Sequence, residues 1–175
     1  MYGKTTYSFW TEKGPRTDNQ DSMMLLTRGY TKYFAVADGM GGKQAIQKLV
    51  NRIMQMPKDH DPFTFLQEWM QELDQAIQRS GITLSMLCLK AGRGYLAHVG
   101  DSRIYRVHKK CVERLTTNHS EGHLLISVVD GGRIGELEFK SFLYGKGESF
   151  FVVSDGFWNP LTSPQRRAAL LTNSD

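Results

Sequence analysis

Four aspartates in this sequence share a local setting that suits cation chemistry. Asp21 closes the run RTDNQD, Asp38 ends FAVA and precedes GMGG, Asp101 ends LAHVG and precedes SR, and Asp155 ends FFVVS and precedes GFW. A carboxylate at the end of an apolar strand bears a desolvation cost unless a cation or hydrogen-bond donors receive its charge. Either these residues cap turns or they hold a metal. Taken singly, aspartate before glycine is more often a plain turn dipeptide. Taken together, three carboxylates at strand ends could gather at one rim of a layered sheet. Carboxylate and carbonyl oxygens without a matching histidine or cysteine set suit hard cations, Mg²⁺ or Mn²⁺ rather than Zn²⁺. Glycines after Asp38 and Asp155 let the backbone turn sharply, and the Gly39 carbonyl is a further oxygen donor.

The elements that must position these residues are mostly strands. Thr5 to Trp10, Met23 to Thr27, Tyr33 to Ala37, Ile82 to Leu89, Tyr95 to Val99, Arg103 to Val107, Leu124 to Val129, Arg133 to Phe139 and Phe150 to Val153 alternate or run apolar as strands do. The turn stretches AGRG, HKK, DGG and YGKGE predict hairpins and hence antiparallel pairing. Two helices stand between strands. Gln44 to Met56 carries Ala45, Ile46, Leu49, Val50, Ile53 and Met54 on one face before Pro57. In the second, Asp61 is the predicted N-cap and Pro62 the first helical residue; Leu66, Trp69, Met70, Leu73 and Ile77 share a face before Gly81. A third, weaker helix is predicted from Ser163 or Pro164 to about Leu171. The reading is an α+β domain with antiparallel sheets covered by helices.

At 175 residues the chain fits one domain, expected to span residues 1–175 and to bury a core without disulfides. Apolar residues make up 40% and no apolar run approaches a membrane span. The start MYGKTTYSFW lacks an apolar segment behind a basic head, so a cytoplasmic protein is expected, without a membrane partner. Cys88 and Cys111 have no neighbour at metal-binding spacing and read as reduced thiols. The net charge of +4 is scattered, and the short clusters at Arg106 to Lys110 and Arg166–Arg167 do not make a nucleic-acid footprint.

The sequence resembles the metal-dependent serine/threonine protein phosphatases of the protein phosphatase 2C, or PPM, family. The resemblance runs through Gly14 with RTDNQD, VADGMGG (Val36 to Gly42), GITL (Gly81 to Leu84), HVGDSRIYR (His98 to Arg106), LTTNHS (Leu115 to Ser120) and FVVSDGFW (Phe151 to Trp158), nearly the whole chain in family order. It implies a four-layer α-β-β-α sandwich of two antiparallel sheets flanked by helices, with metals in the cleft between the sheets. It assigns Asp38 as the ligand bridging two ions, with the Gly39 carbonyl on one. Asp155 would hold the other and, with Asp101, a third, weaker one. Asp21 and the preceding position shape the water shell, and Arg16 receives the phosphate. Two or three Mn²⁺ or Mg²⁺ ions are thereby implied. Two of them, on the order of 4 Å apart, would acidify a shared water that attacks phosphorus in line. A guanidinium at Arg16 matches two phosphate oxygens as a lysine cannot.

The departures from the family pattern are specific. Gln20 stands where glutamate is common, Met40 where some relatives carry a histidine, Lys43 where a histidine usually follows the glycines, Ile46 for a glycine, and Asn118 for an aspartate before HS. The segment between Ser120 and Phe150 is shorter than is usual. Family members close with a strand carrying an Asp-Asn pair, whereas this sequence ends at TNSD, about twenty residues after Asp155. The expectation is a metal site short of one carboxylate, with weaker binding; Asp175 would replace it only by folding back. His98 and His119 are candidate proton donors, although a lone histidine is more often structural.

Two functions follow. The first is a protein-serine/threonine phosphatase, acting on a phosphorylated protein. The alternative is a catalytically weak or silent relative that binds a phosphoprotein or a Ser/Thr kinase as a regulatory module. A monomer is expected, and nucleic-acid binding rests on net charge alone.

Overall fold

The computed structural model describes residues 6–76, 81–121, 124–125, 127–130 and 135–173. In chain order these form β1 (Ser22–Arg28), β2 (Thr31–Asp38), α1 (Gly42–Gln55), α2 (Pro62–Ala76), β3 (Thr83–Lys90), β4 (Arg93–Val99), β5 (Arg103–His108) and β6 (Cys111–Arg114). There follow β7 (Ser120–Glu121), β8 (Leu124–Leu125), β9 (Glu138–Leu143), β10 (Ser149–Val153), α3 (Asp155–Trp158) and α4 (Ser163–Thr172).

The strands make two main sheets, one in the order β1-β2-β3-β4-β9 and one in the order β10-β5-β6, all antiparallel; β7 and β8 pair separately. Period-two alternation decides what each face does. In β2, Tyr33, Ala35 and Ala37 point to the core formed with α1 and α2. Phe34 points the other way, into the core between the sheets with Leu87, Leu96, Ile104, Phe150 and Val152. Asp38, four residues on from Phe34, shares that inter-sheet face. The second sheet carries Tyr105, Val107, Phe151 and Val153 on its outer side, where Leu170 of α4 covers them. The order is therefore helix, sheet, sheet, helix, as the resemblance implies.

The helices sit where spacing predicts, except that Met54 of α1, expected on the buried face, stands half exposed. Leu49 and Ile53 of α1 and Phe65, Leu66, Met70 and Leu73 of α2 are fully buried, each worth about 1.5–3 kcal/mol of transfer free energy. Asp61 caps α2, its Oδ2 accepting from Thr64 N at 2.8 Å and Thr64 Oγ1 at 3.0 Å. A capping box of Thr162 and Gln165 opens α4. Ile77 lies outside the described residues, as do Gly131 and Gly132 of the DGG turn and Asp175.

Several strand expectations are corrected. Residues 6–10 form no strand: they have no ladder partner among the described residues, and Tyr7, Phe9 and Trp10 stand exposed. Among the described residues of Leu124 to Val129, which leave out Ile126, only Leu124–Leu125 joins a ladder, and Val129 makes an isolated bridge to Ile82. Of the strand expected from Arg133 to Phe139, Arg133 and Ile134 lie outside the described residues, Gly135 to Leu137 join no ladder, and the described strand runs from Glu138 to Leu143. Before it, Ser127 Oγ accepts from Glu136 N at 3.2 Å, holding the chain away from β4 until the ladder starts at Glu138 opposite His98. YGKGE is no hairpin, because β9 and β10 belong to different sheets. Glu148 turns back there to pair with Arg106 at 2.7 Å and to accept from Gly145 N. HKK is a hairpin built without glycine, with Lys109 at φ 47 and Lys110 at φ 64.

Candidate metal centre

The antiparallel register brings the aspartates together. Ser22 pairs with Ala37, so Asp21 and Asp38 are the next positions across the β1–β2 ladder. Asp38 pairs with Thr83, and Leu84 with Val99, which puts the Gly100–Asp101 turn beside Thr83 on the same rim. Asp155 arrives from the other sheet: Val153 of β10 pairs with Arg103, two residues after Asp101. Two hydroxyl contacts stitch the sheets around this point. Ser154 Oγ donates to Asp21 Oδ2 at 2.7 Å, and Thr83 Oγ1 and Ser102 Oγ lie 2.9 Å apart. The Arg103 guanidinium stacks 3.4 Å from the Trp158 ring centre and pins α3, the helix that begins with Asp155.

Electrostatics record the convergence. Burial first, then the charges of Asp21 and Asp155, push the Asp38 carboxyl up to about 7, and both neighbours share hydrogen bonds with it. Burial and the Asp155 charge likewise raise Asp101. Such mutual repulsion costs stability at neutral pH and is what a hard dication relieves. The donors are all oxygens, which fits Mg²⁺ or Mn²⁺.

Glycine geometry supports the same place. Gly39 has φ +125, and a Cβ there would lie 2.7 Å from the Gly81 carbonyl oxygen. Its own carbonyl accepts from Gly42 N at 2.9 Å as the chain turns into α1; a second lone pair remains on such an oxygen. A cleft of about 520 Å³ opens beside the rim, lined by the Asp18–Ser22 segment together with Met40 and Lys43. Arg16 is exposed in the turn just before Asp18 and is not among the described residues that line the cleft.

The histidines take structural positions. His98 Nε2 lies 2.9 Å from the Thr117 carbonyl, which can only accept, so this nitrogen carries the proton and Nδ1 accepts from Ser85 Oγ at 2.8 Å. His119 Nδ1 accepts from Gly100 N at 3.2 Å while its own backbone N–H donates to the Gly100 carbonyl, fixing the turn before Asp101. His98, His119 and Glu138 offer ligand atoms within 4.8 Å of one another. Both His98 nitrogens are engaged, however, and Glu138 accepts from Thr117 N and Oγ1 and pairs with Lys140. The set is a hydrogen-bonded brace between β4, β9 and the loop after β6.

Burial, then the charge of His119, pull His98 down to about 4. The unfolded chain takes up a proton near pH 6.5 that the folded chain refuses until about pH 4, so stability should fall as pH falls through that window, by about 3 kcal/mol. Urea unfolding at pH 7 and pH 4.5 should show this loss in the wild type. It should be largely absent in His98→Gln, the comparison cancelling other titrations.

The sequence did not reveal Ser154, Thr83 and Ser102. The available signal was a hydroxyl residue next to Asp155 and Asp101, and another opposite Asp38.

The sandwich of two antiparallel sheets between helices, with its acidic rim, is the fold of the PPM serine/threonine phosphatases. It is shared with the S. agalactiae serine/threonine phosphatase (TM-score 0.77, 19% identity, 89% of this chain and 81% of that one). It is shared too with the Mycobacterium tuberculosis serine/threonine phosphatase PstP/Ppp (TM-score 0.73, 19% identity, 91% and 81%). A third match is the catalytic domain of PstP in complex with two manganese ions (TM-score 0.75, 22% identity, 89% and 79%). Residues 15–174 match the family described as protein phosphatase 2C, and the chain belongs to that family. No curated protein sequence matches the chain. No helix among the described residues is long and apolar enough to cross a membrane.

Proposed function

We propose that this protein is a metal-dependent protein-serine/threonine phosphatase. The observation that carries the reading is the convergence of Asp21, Asp38, Asp101 and Asp155 from two sheets, where burial first and then the charges of Asp21 and Asp155 raise Asp38 to about 7. Family membership supports the reaction class. Asp38 would be the shared ligand, with Asp155, Asp101, Asp21 and the Gly39 carbonyl completing sites for two or three ions. Bound there, Mn²⁺ or Mg²⁺ would supply the acidified water and the neutralisation of phosphate charge that hydrolysis of the ester requires. Ser154 keeps Asp21 oriented through its 2.7 Å bond, and Thr83 and Ser102 hold the two sheets in register beneath the carboxylates. Arg16, ahead of Asp18 in an exposed turn, would close over the phosphoryl group with its planar fork. The substrate is then a phosphoserine or phosphothreonine protein, and a Ser/Thr kinase acting on the same protein is the matching partner.

Mn²⁺-dependent release of phosphate from p-nitrophenyl phosphate, abolished by chelator and restored by added metal, is the expected result. Thermal unfolding should also shift upward with Mn²⁺, since binding to the folded state alone stabilises it. A protein that gains stability from Mn²⁺ and yet releases no phosphate would overturn the catalytic reading and leave a binding module.

A further inference from the structure

Lys43 is the one cation among the described residues lining the cleft beside the acidic rim. It occupies the first turn of α1, where the partial positive charge of the helix disfavours a cation. Nothing there compensates: no acidic residue shares the turn, and Gly41 makes no side-chain cap. Lys43 is exposed and forms no ion pair among the described residues. Neither packing nor helix stability accounts for it. Met40, which lines the same cleft, is 83% exposed, an apolar side chain held in solvent in the glycine turn. An unpaired ammonium next to an exposed thioether, both facing the cleft that leads from the carboxylates, is a surface suited to a peptide with an acidic and an apolar side chain side by side.

We propose that Lys43 is a specificity-determining residue, its ammonium receiving a carboxylate next to the phosphorylated residue of an acidic phosphopeptide, with Met40 carrying a neighbouring apolar side chain. The proposal rests on the phosphatase reading above. Arg16 lies outside the cleft walls, so the two cations have separate tasks, one for the phosphoryl group and one for the flanking sequence. Asp18 and Asp21 line the same cleft, so a peptide carboxylate is drawn to Lys43 and repelled by those two.

The test is kcat/KM of the full chain with Mn²⁺ for two phosphopeptides that differ only in having glutamate or lysine beside the phosphoserine. Wild type should prefer the acidic peptide by about fivefold, the worth of one partly exposed ion pair. The preference should shrink as salt rises. Lys43→Gln should bring the ratio close to one and Lys43→Glu should invert it, mainly through KM. Lys43→Glu places an anion where the helix favours one, so its melting temperature should not fall and misfolding would not explain an inverted ratio. An unchanged ratio, or an equal loss on both peptides, overturns the proposal. If wild type hydrolyses neither peptide, the phosphatase reading fails separately. Binding of the two labelled peptides by fluorescence anisotropy then decides the Lys43 claim: the same preference and inversion support it, and equal affinities overturn it.

Discussion

Asp38→Asn should lower Mn²⁺-dependent phosphatase activity by more than about 100-fold, beyond the loss that follows when a mere outer partner of a metal ligand is removed. Asparagine keeps the shape of the side chain and removes the charge that Asp21 and Asp155 crowd against. The same change should make the metal-free protein more stable above pH 7. The sign follows from Asp38 being raised from 3.8 to about 7 in the folded chain. The folded state holds a proton that the unfolded state has released, so metal-free stability falls as pH rises through this interval. The amide that replaces the carboxyl has no such proton to lose. In thermal melts without metal the variant should therefore gain more over the wild type at pH 8 than at pH 5, the His98 titration being common to both proteins and cancelling in that difference; with Mn²⁺ present the wild type should instead be the more stable at pH 8. Asp155→Asn should also lose activity, and a variant at either position that retains full turnover would remove the carboxylates from the chemistry.

Gly100→Ala should cost about 4 kcal/mol, from two independent sources. Gly100 has φ +104, which an L side chain rarely adopts, and a Cβ there would sit 2.5 Å from the Thr83 Cβ. Thr83 cannot retreat easily, because it is buried, pairs with Asp38 and contacts Ser102. That loss is a large share of the roughly 5–15 kcal/mol by which ordinary domains are stable. Gly156→Ala is the control: Gly156 is helical, and its nearest obstacle is 3.9 Å away, so urea unfolding should show little change there. If Gly100→Ala unfolds at the same urea concentration as wild type, the close approach of the Gly100 turn to β3 is wrong.

Much of this structure is legible in residue order where periodicity and burial agree. The stripe from Ala45 to Ile53 and that from Leu66 to Leu73 could only be helices covering a sheet, and Asp61 with Pro62 marks a helix start by local chemistry alone. The strands ending at Asp38, Asp101 and Asp155 were readable because each is apolar almost to its end, which also made their carboxylates conspicuous. What could not be read was pairing. Tyr7, Phe9 and Trp10 alternate like a strand, but alternation does not supply a ladder partner. YGKGE has the composition of a hairpin, yet Glu148 is drawn to Arg106 and the chain crosses between sheets instead. The role of His98 was equally hidden, since its partners Ser85 and Thr117 are far away in sequence. Lys43 showed only as an unusual residue after the glycines until the cleft gave it a setting.

The acidic rim draws on both layers: Asp21 and Asp38 flank β1 and β2, while Asp155 arrives at the end of β10. A nascent or partly melted chain in which just one layer has formed cannot gather the carboxylates, whatever its local order. On the phosphatase reading, turnover would therefore be a sensitive gauge of whether the two halves have closed.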